Sequence, residues 1–200
     1  GGSAWGQSAS TSYAVVSEDS DLHWLVYKAG ALSRLGHNHT IAAADLRGTV
    51  EVSPKLEESR FELEFSVANL VVDDPQLRST LGEDFSSVPT SDDIAGTRRN
   101  MLSEGVLNGE QFPKIRLVGT GPTRRDGADS LAVTIELLGR TVQVVVPTEV
   151  TIEGDVLRAK GAFELNHADL GMKPFSVMMG ALQVGEKLSF SYDVVARKAD

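Results

Sequence analysis

Apolar and polar side chains alternate along much of the chain, with the period of two that places successive side chains on opposite faces of a β-strand. The clearest case is the segment FELEFSV at 61–67, in which one face is aromatic and aliphatic and the other carries carboxylates and a serine. The same alternation occurs over residues 131–137, 157–165 and 188–194. These segments are predicted to be half-buried strands.

Shorter segments of the same kind, bounded by glycine, proline, aspartate and asparagine, bring the predicted total to about nine strands. They are predicted over residues 13–17, 22–27, 41–52, 115–120 and 142–150.

Helical spacing occurs in one place, the segment SDDIAGTRRNML at 91–102. It begins with a hydroxyl and two carboxylates that can cap a helix, and its apolar residues follow at helical intervals. A short helix is therefore predicted there. The connection before it, residues 75–89, is charged and aperiodic, which is typical of either a flap at a rim or a mobile loop.

Many antiparallel strands that each have one apolar face need either a second sheet or closure into a barrel. The long strands predicted at 41–52 and 156–165 favour an extended barrel. Small residues at positions able to face inward would leave a cavity, although they could equally serve strand twist and close packing. These residues are Ala42, Ala44, Gly48, Ala159 and Gly161.

Length and composition limit the classes of function. The chain has 200 residues, enough for one domain, which is predicted over residues 13–197 after a small, polar leader or tag remnant at 1–12. Its 19 Lys and Arg against 28 Asp and Glu give a net charge of -9, which repels nucleic acid and, at long range, anionic lipid surfaces. No apolar run reaches the length of a transmembrane segment, so a soluble protein is expected.

The chain contains no cysteine, which removes disulfides, thiolate catalysis and cysteine-ligated zinc but leaves the compartment open. No G-x-S-x-G elbow occurs, which disfavours a serine hydrolase. No cofactor and no catalytic residue is predicted. The oligomeric state stays open between a monomer and a homodimer.

Several short strings occur in an order and spacing that resemble the YceI-like family. They are GHNH at 36–39 with Gly48 in the next strand, FPKI at 112–115, and DLGM at 169–172 followed by residues 180–184. The match spans roughly residues 13–197. It departs from the family pattern at 133–139, where the motif is blurred, and at 84–100, which is longer than usual.

The resemblance implies a single extended, antiparallel, lipocalin-like β-barrel with export to the bacterial periplasm or beyond; a cytoplasmic location stays open. It also implies that the barrel binds polyisoprenoids or similar long amphiphiles, such as quinone tails and fatty amides or acids. The departures leave room for a different ligand.

His37, Asn38 and His39 are candidate ligand-binding residues, because the two imidazoles would face the same side of an extended segment. With His167 and Asp169 or Asp45 they could form a metal site, but no established ligand spacing is present, and no metal is expected. The preferred interpretation is that both histidines hydrogen-bond the backbone near the barrel mouth, with Asn38 turned to solvent, and that the pair contacts a ligand head group.

The inward apolar face supplies the other candidate ligand-binding residues. They are Phe61, Leu63, Phe65, Val133, Ile135, Phe163 and Phe190, together with Met172 and Phe175 from the segment 172–180. That methionine-rich segment is interpreted either as an adaptable lid or as a loop that plugs the barrel end.

These residues favour a non-enzymatic carrier or sequestering protein for a small-molecule lipid or isoprenoid ligand. One alternative is an enzyme that uses the barrel as a chamber, with His37, His39 or His167 assisting dehydration, cyclisation or isomerisation of a hydrophobic substrate. Another is an interaction module with a filled core that binds a protein through residues 75–89.

Overall fold

The computed structural model describes residues 10–200, so most of the predicted leader lies outside the described residues. Twelve strands occur in this part of the chain: β1 (Thr11–Val15), β2 (Asp21–Ala29), β3 (His39–Ala42), β4 (Arg47–Val52), β5 (Arg60–Ser66), β6 (Val71–Val72), β7 (Lys114–Arg125), β8 (Ala128–Leu137), β9 (Arg140–Glu153), β10 (Val156–Asn166), β11 (Ser176–Val177) and β12 (Leu182–Lys198). The helices are α1 (Pro75–Arg78) and α2 (Ser91–Leu102). Neither helix of residues 10–200 is long and apolar enough to cross a membrane.

Eight antiparallel strands close a barrel in the order β1-β4-β5-β7-β8-β9-β10-β12, and β12 pairs with β1 to complete the ring. The 17-residue β12 makes this closure possible because it is long enough to change partners. Its last residues pair with β1, whereas residues 183–193 pair with β2, which continues into β3 and β6. The predicted all-β antiparallel barrel is confirmed.

The helix α2 spans the predicted residues, but its N-cap is Thr90. The Thr90 hydroxyl accepts a hydrogen bond from the Asp93 backbone N–H (3.1 Å), and the Asp93 carboxylate accepts one from the Thr90 backbone N–H (2.9 Å). This reciprocal capping satisfies donors that a helix start leaves free. Arg98 ties the helix to the barrel by donating to the backbone carbonyls of Leu70 (2.5 Å) and Ala68. The end of the barrel next to α2 is called the helical end below.

The single strand predicted over residues 41–52 is wrong, because the chain leaves the sheet between β3 and β4. Within this break, the Asp45 carboxylate accepts hydrogen bonds from the backbone N–H of Ser66 (2.9 Å) and from the side chains of Asn69 (3.0 Å) and Arg47 (2.9 Å). Leu46 is buried in the core. The break lets β3 pair with β2 while β4 pairs with β1 and β5.

Candidate ligand-binding cavity

The barrel encloses an elongated apolar cavity of about 470 Å³, a size within the range of about 300–1,000 Å³ typical of small-molecule sites. The alternation of the strands explains its walls, because every closed barrel turns one face of each strand inward. All but one of the predicted ligand-binding residues line it: His37, His39, Phe61, Leu63, Phe65, Val133, Ile135, Phe163, Met172, Phe175 and Phe190. Asn38 does not.

Aromatic side chains form a band in the wall of the cavity. Phe163 stacks on Phe190 with ring centroids 5.1 Å apart, and Trp24 lies 5.9 Å from Phe190 and 6.2 Å from Phe65. Trp24 was not among the predicted ligand-binding residues. Its signal was present in the sequence, since Leu22, Trp24 and Val26 alternate along β2 and all three line the cavity.

Of the two interpretations of the small residues, open space and close packing, close packing holds at Gly48 and Gly161. Of the five proposed to leave room, Ala159 lines the cavity, whereas Ala42 and Ala44 do not. A side chain at Gly161 would place its first carbon 2.4 Å from the Pro147 carbonyl and 2.7 Å from the Tyr192 hydroxyl, so this glycine makes room for an aromatic ring.

Gly48 has a comparable role, since a side chain there would collide with the backbone of β5, 2.0 Å from the Glu62 carbonyl. Neither Gly48 nor Gly161 therefore leaves open space for a ligand.

Polar side chains concentrate at the helical end of the cavity. Ser59 and Tyr192 are exceptions elsewhere in its wall. Those at the helical end are Tyr27, Lys28, His37, His39, Thr97, Asn100, His167 and Gln183. The cavity is thus amphipathic along its length, with an apolar body and one polar end.

A buried ion pair supports this polar end. The Asp73 carboxylate, with no exposed side-chain surface, lies 2.7 Å from His39 Nδ1 and 2.7 Å from an Arg78 guanidinium nitrogen, and it accepts the Thr40 backbone N–H (2.9 Å). Burial alone would raise the pKa of Asp73, but the contacts with His39, Thr40 and Arg78 outweigh it and hold that pKa below its usual value. His39 lines the cavity, and because Nδ1 is bound to Asp73, Nε2 is the ring nitrogen left for another partner.

His37 and Asn38, which directly precede β3, connect it to the flap of residues 75–89. His37 Nδ1 lies 2.9 Å from the Ser87 hydroxyl, and Nε2 lies 3.5 Å from an Asp93 oxygen. The Asn38 side chain accepts the Lys28 backbone N–H (2.9 Å) and donates to the Asp84 carbonyl (2.8 Å). The flap is therefore fastened to the rim.

Two parts of the prediction for this strand are wrong. Both histidines bond side chains rather than backbone, and Asn38 bridges β2 and the flap instead of pointing to solvent. His39 bonds a side chain because Asp73 is a buried charge that needs counterparts.

The residues considered for a metal site do not come together. His167 Nδ1 lies 2.7 Å from the Glu186 carbonyl, Asp169 accepts the Asn166 backbone N–H (2.8 Å), and Asp45 is held in the break between β3 and β4. Among residues 10–200, no group of three or more histidine, aspartate or glutamate side chains could hold a metal ion.

The methionine-rich segment borders the cavity at the helical end. Met172, Phe175 and Val177 line it, whereas Met178 and Met179 project into solvent. Met178 and Met179 both have positive φ angles (54° and 56°), which non-glycine residues rarely adopt. The segment therefore contributes to the cavity wall and also presents an exposed apolar tip.

The comparisons with known proteins agree with this architecture. The structure is similar to BcnA of Burkholderia cenocepacia (TM-score 0.65, 11% identity, 90% of this chain and 98% of that chain covered). It is also similar to a polyisoprenoid-binding domain from Saccharophagus degradans implicated in plant cell wall breakdown. That match has a TM-score of 0.62 and 10% identity, and it covers 94% of this chain and 99% of that chain.

A Campylobacter jejuni YceI protein matches with a TM-score of 0.56 and 8% identity, over 80% of this chain and 85% of that chain. No curated protein sequence matches the chain significantly. The model of the YceI-like domain matches residues 13–196, nearly the whole chain. The chain therefore belongs to the YceI-like family.

Proposed function

We propose that this protein binds a long-chain amphiphilic lipid inside the barrel and carries or sequesters it without chemical change. The observation that supports this most directly is the amphipathic cavity of about 470 Å³, apolar along its body and polar at the helical end. The neighbour from Saccharophagus degradans is described as polyisoprenoid-binding, which favours a polyisoprenoid, a quinone with such a tail, or a fatty amide or acid.

Burial of the tail would supply most of the affinity. Each methylene removed from water contributes about 0.8 kcal/mol, so a chain of about ten carbons supplies several kcal/mol beyond the cost of ordering it. A preformed apolar wall lowers that cost, because the aromatic band of Trp24, Phe163 and Phe190 is already packed. We expect affinity to rise with tail length.

The head group would lie between His37 and His39, whose ring centroids are 6.3 Å apart. His39 is oriented by Asp73, which leaves Nε2 available to accept or donate one hydrogen bond. A carbonyl, hydroxyl or amide head group suits this arrangement. Asn38 would act indirectly, by fastening the flap that positions His37.

Native mass spectrometry of gently purified protein, combined with titration of a fluorescent fatty-acid or isoprenoid probe, tests this function. A co-purified lipid that is released on denaturation, and probe affinity that increases with tail length, are the expected results. A barrel that carries no lipid and binds no probe would contradict the proposal.

A second candidate function is supported by the His39–Asp73 pair. A histidine that is oriented by a buried carboxylate and lines a largely apolar cavity is also the arrangement of a general acid–base catalyst. The same mass-spectrometric experiment separates the two functions. A carrier returns the lipid unchanged, whereas an enzyme changes its mass or its isomer composition, and His39→Gln abolishes that change.

We propose the bacterial periplasm as the working location, following the family resemblance. Fractionation of cells that express the complete gene, with the protein detected by antibody, tests it. Recovery in the cytoplasmic fraction alone would overturn this location without affecting the proposed ligand.

A further inference from the structure

Two neighbouring segments at the helical end, residues 28–36 and 171–185, each consist of a loop and the strand ends that adjoin it. They form an exposed part of the cavity rim and are called the paired loops. They are joined by the hydrogen bond from the Leu32 backbone N–H to the Ala181 carbonyl (2.7 Å). In the adjoining strands Val184 is opposite Lys28. Both loops reach the cavity, since Lys28, Gly36, Phe175 and Leu182 line it.

The paired loops present apolar side chains to solvent. Leu35 and Met178 are each 65% exposed, Met179 is fully exposed and Val177 is 40% exposed. Such large apolar side chains grouped at one site indicate an interaction surface rather than random surface composition. The left-handed backbone of Met178 and Met179 is strained, and strain of this kind concentrates at functional segments.

The charge of the paired loops is opposite to that of the chain. The protein carries 28 acidic residues, yet residues 28–36 and 171–185 contain Lys28, Arg34 and Lys173 and no aspartate or glutamate. All three cations are exposed. At physiological ionic strength, charges act over about 8 Å, so a surface that approaches this rim responds to the local charges rather than to the net charge of -9. These are the three cations of the paired loops and the exposed Glu83 and Asp84 of the neighbouring flap.

We propose that the paired loops dock on the surface of an anionic lipid bilayer, with the two-methionine tip in the interfacial layer and the cations against phosphate groups. A protruding apolar tip flanked by lysine and arginine suits shallow insertion into an interface. A protein partner would require a broad surface rather than a two-residue tip. The rest of the chain is negatively charged and is repelled by the anionic membrane. This repulsion orients the molecule so that the cavity rim faces the membrane.

Docking in this position gives the proposed ligand a path between the bilayer and the cavity that avoids water. This step rests on the proposed function, whereas the docking itself does not. Val177 belongs both to the exposed apolar surface and to the cavity wall, so the apolar path is continuous from the tip into the barrel.

The test is co-flotation of the full chain with phosphatidylcholine vesicles prepared with and without phosphatidylglycerol. We expect binding to the anionic vesicles that weakens as salt is added. Met178→Asn with Met179→Asn should reduce vesicle binding at least fivefold while keeping the loop folded, because asparagine tolerates positive φ. Its control is Val145→Asn, which removes an exposed apolar side chain from the barrel wall.

Charge reversal tests the electrostatic part. Arg34→Glu with Lys173→Glu should abolish binding to anionic vesicles. The same reversal at Lys55 and Arg125, which are exposed away from the paired loops, changes the net charge equally and should leave most of the binding intact. Equal losses in the two double variants would show a non-specific charge effect and overturn the proposal.

A probe at the tip reports contact with the bilayer. Because the chain has no cysteine, Met179→Cys provides a single labelling site for an environment-sensitive fluorophore. We expect a blue shift with anionic vesicles at this position and none at Val145→Cys. A vesicle-independent dimer that buries the label would instead identify a second copy as the occupant and overturn the proposal.

Failure of docking and failure of the proposed function are distinguishable. If the wild-type chain takes up a fluorescent fatty-acid probe in solution but does not bind vesicles, the docking surface is refuted and the ligand proposal stands. If it binds vesicles through the tip but takes up no probe, the docking surface stands and the ligand proposal fails.

Discussion

One buried carboxylate, Asp73, joins three segments at the polar end of the cavity: the strand of His39, the helix of Arg78 and its own loop. Asp73→Asn keeps the shape of the side chain and tolerates the positive φ of this residue (55°), but it removes the negative charge. Arg78, only 5% exposed, would then lack its counter-charge. Since breaking a buried pair on one side costs about 3–5 kcal/mol, we expect a loss of about 3 kcal/mol in the free energy of unfolding by urea denaturation.

Asp193→Asn is the matched control, because it breaks the exposed pair with Arg158 and should have a much smaller effect. A loss at Asp73 no greater than at Asp193 would mean that the buried ion pair does not hold the rim together.

Asp45 makes a pH-dependent contribution to stability. Burial would raise its pKa, but hydrogen bonds from Ser66 and Asn69 and the charge of Arg47 outweigh it and lower the pKa to about 2. A lowered pKa stabilises the fold above the ordinary value of 3.8, and that stability disappears as the pH falls toward the folded value. Asp45→Asn should therefore cost about 1–2 kcal/mol at neutral pH, with the difference from wild type shrinking between about pH 4 and pH 2.

Urea denaturation of both proteins across this pH range measures the effect, with Asp155→Asn in an exposed turn as the control. A difference between wild type and Asp45→Asn that is constant with pH would contradict the assignment of the lowered pKa to this carboxylate.

Strands and helices whose positions follow from a local sequence pattern were predictable from sequence. Features whose positions depend on a contact with a residue far away in the sequence were not. Alternation located the barrel strands and turned Phe61, Val133 and Phe163 inward, and capping residues located α2. The break at Asp45 escaped prediction because its main partner, Ser66, lies 21 residues further on. The two-residue strands β6 and β11 are too short for any periodicity.

The polar end of the candidate site shows the same division. His37 and His39 could be placed at one end of the barrel from sequence, but their partners Ser87 and Asp73 could not, because these lie 50 and 34 residues further on and approach only in the folded chain. The role of Gly161 stayed open for the same reason: the ring that occupies its space belongs to Tyr192, in the neighbouring strand.

The capping of α2 determines how firmly the helical end is closed. Thr90→Ala removes the hydroxyl that accepts the Asp93 N–H and should cost about 1 kcal/mol in the free energy of unfolding. Because a helix without its cap opens more often at that end, hydrogen exchange of the α2 amides should also accelerate. Thr97 and Asn100 of this helix line the cavity, so the change would affect the cavity wall. Ser103→Ala, at the other end of the helix, is the control for hydrogen exchange in the first turn. Unchanged exchange in Thr90→Ala would mean that packing alone holds the helix.

At the scale of the whole molecule, the chain shares the arrangement of its strands with its structural neighbours, but few of its residues. The barrel of BcnA aligns with 90% of this chain at 11% identity, which leaves few positions for a common set of ligand contacts. A closed barrel with one apolar inner face can be built from many sequences, because only the alternation and the turns must be kept. Specificity for the proposed ligand would therefore lie in this chain's own cavity wall.

Val133 offers the sharpest test that the ligand lies inside the barrel. Its side chain lines the cavity from β8, where its neighbours in the sheet are Gly119 and Val144. Val133→Phe adds a ring to the open interior, so it competes with a long tail while the fold absorbs the bulk. We expect at least a tenfold increase in Kd for a long-tailed fluorescent probe, a smaller change for a short-tailed one, and a Tm close to that of wild type.

Ala132→Phe adds similar bulk to the outer face of the same strand and should leave both affinities unchanged. Unaltered binding of the long probe by folded Val133→Phe would show that the tail lies outside the barrel.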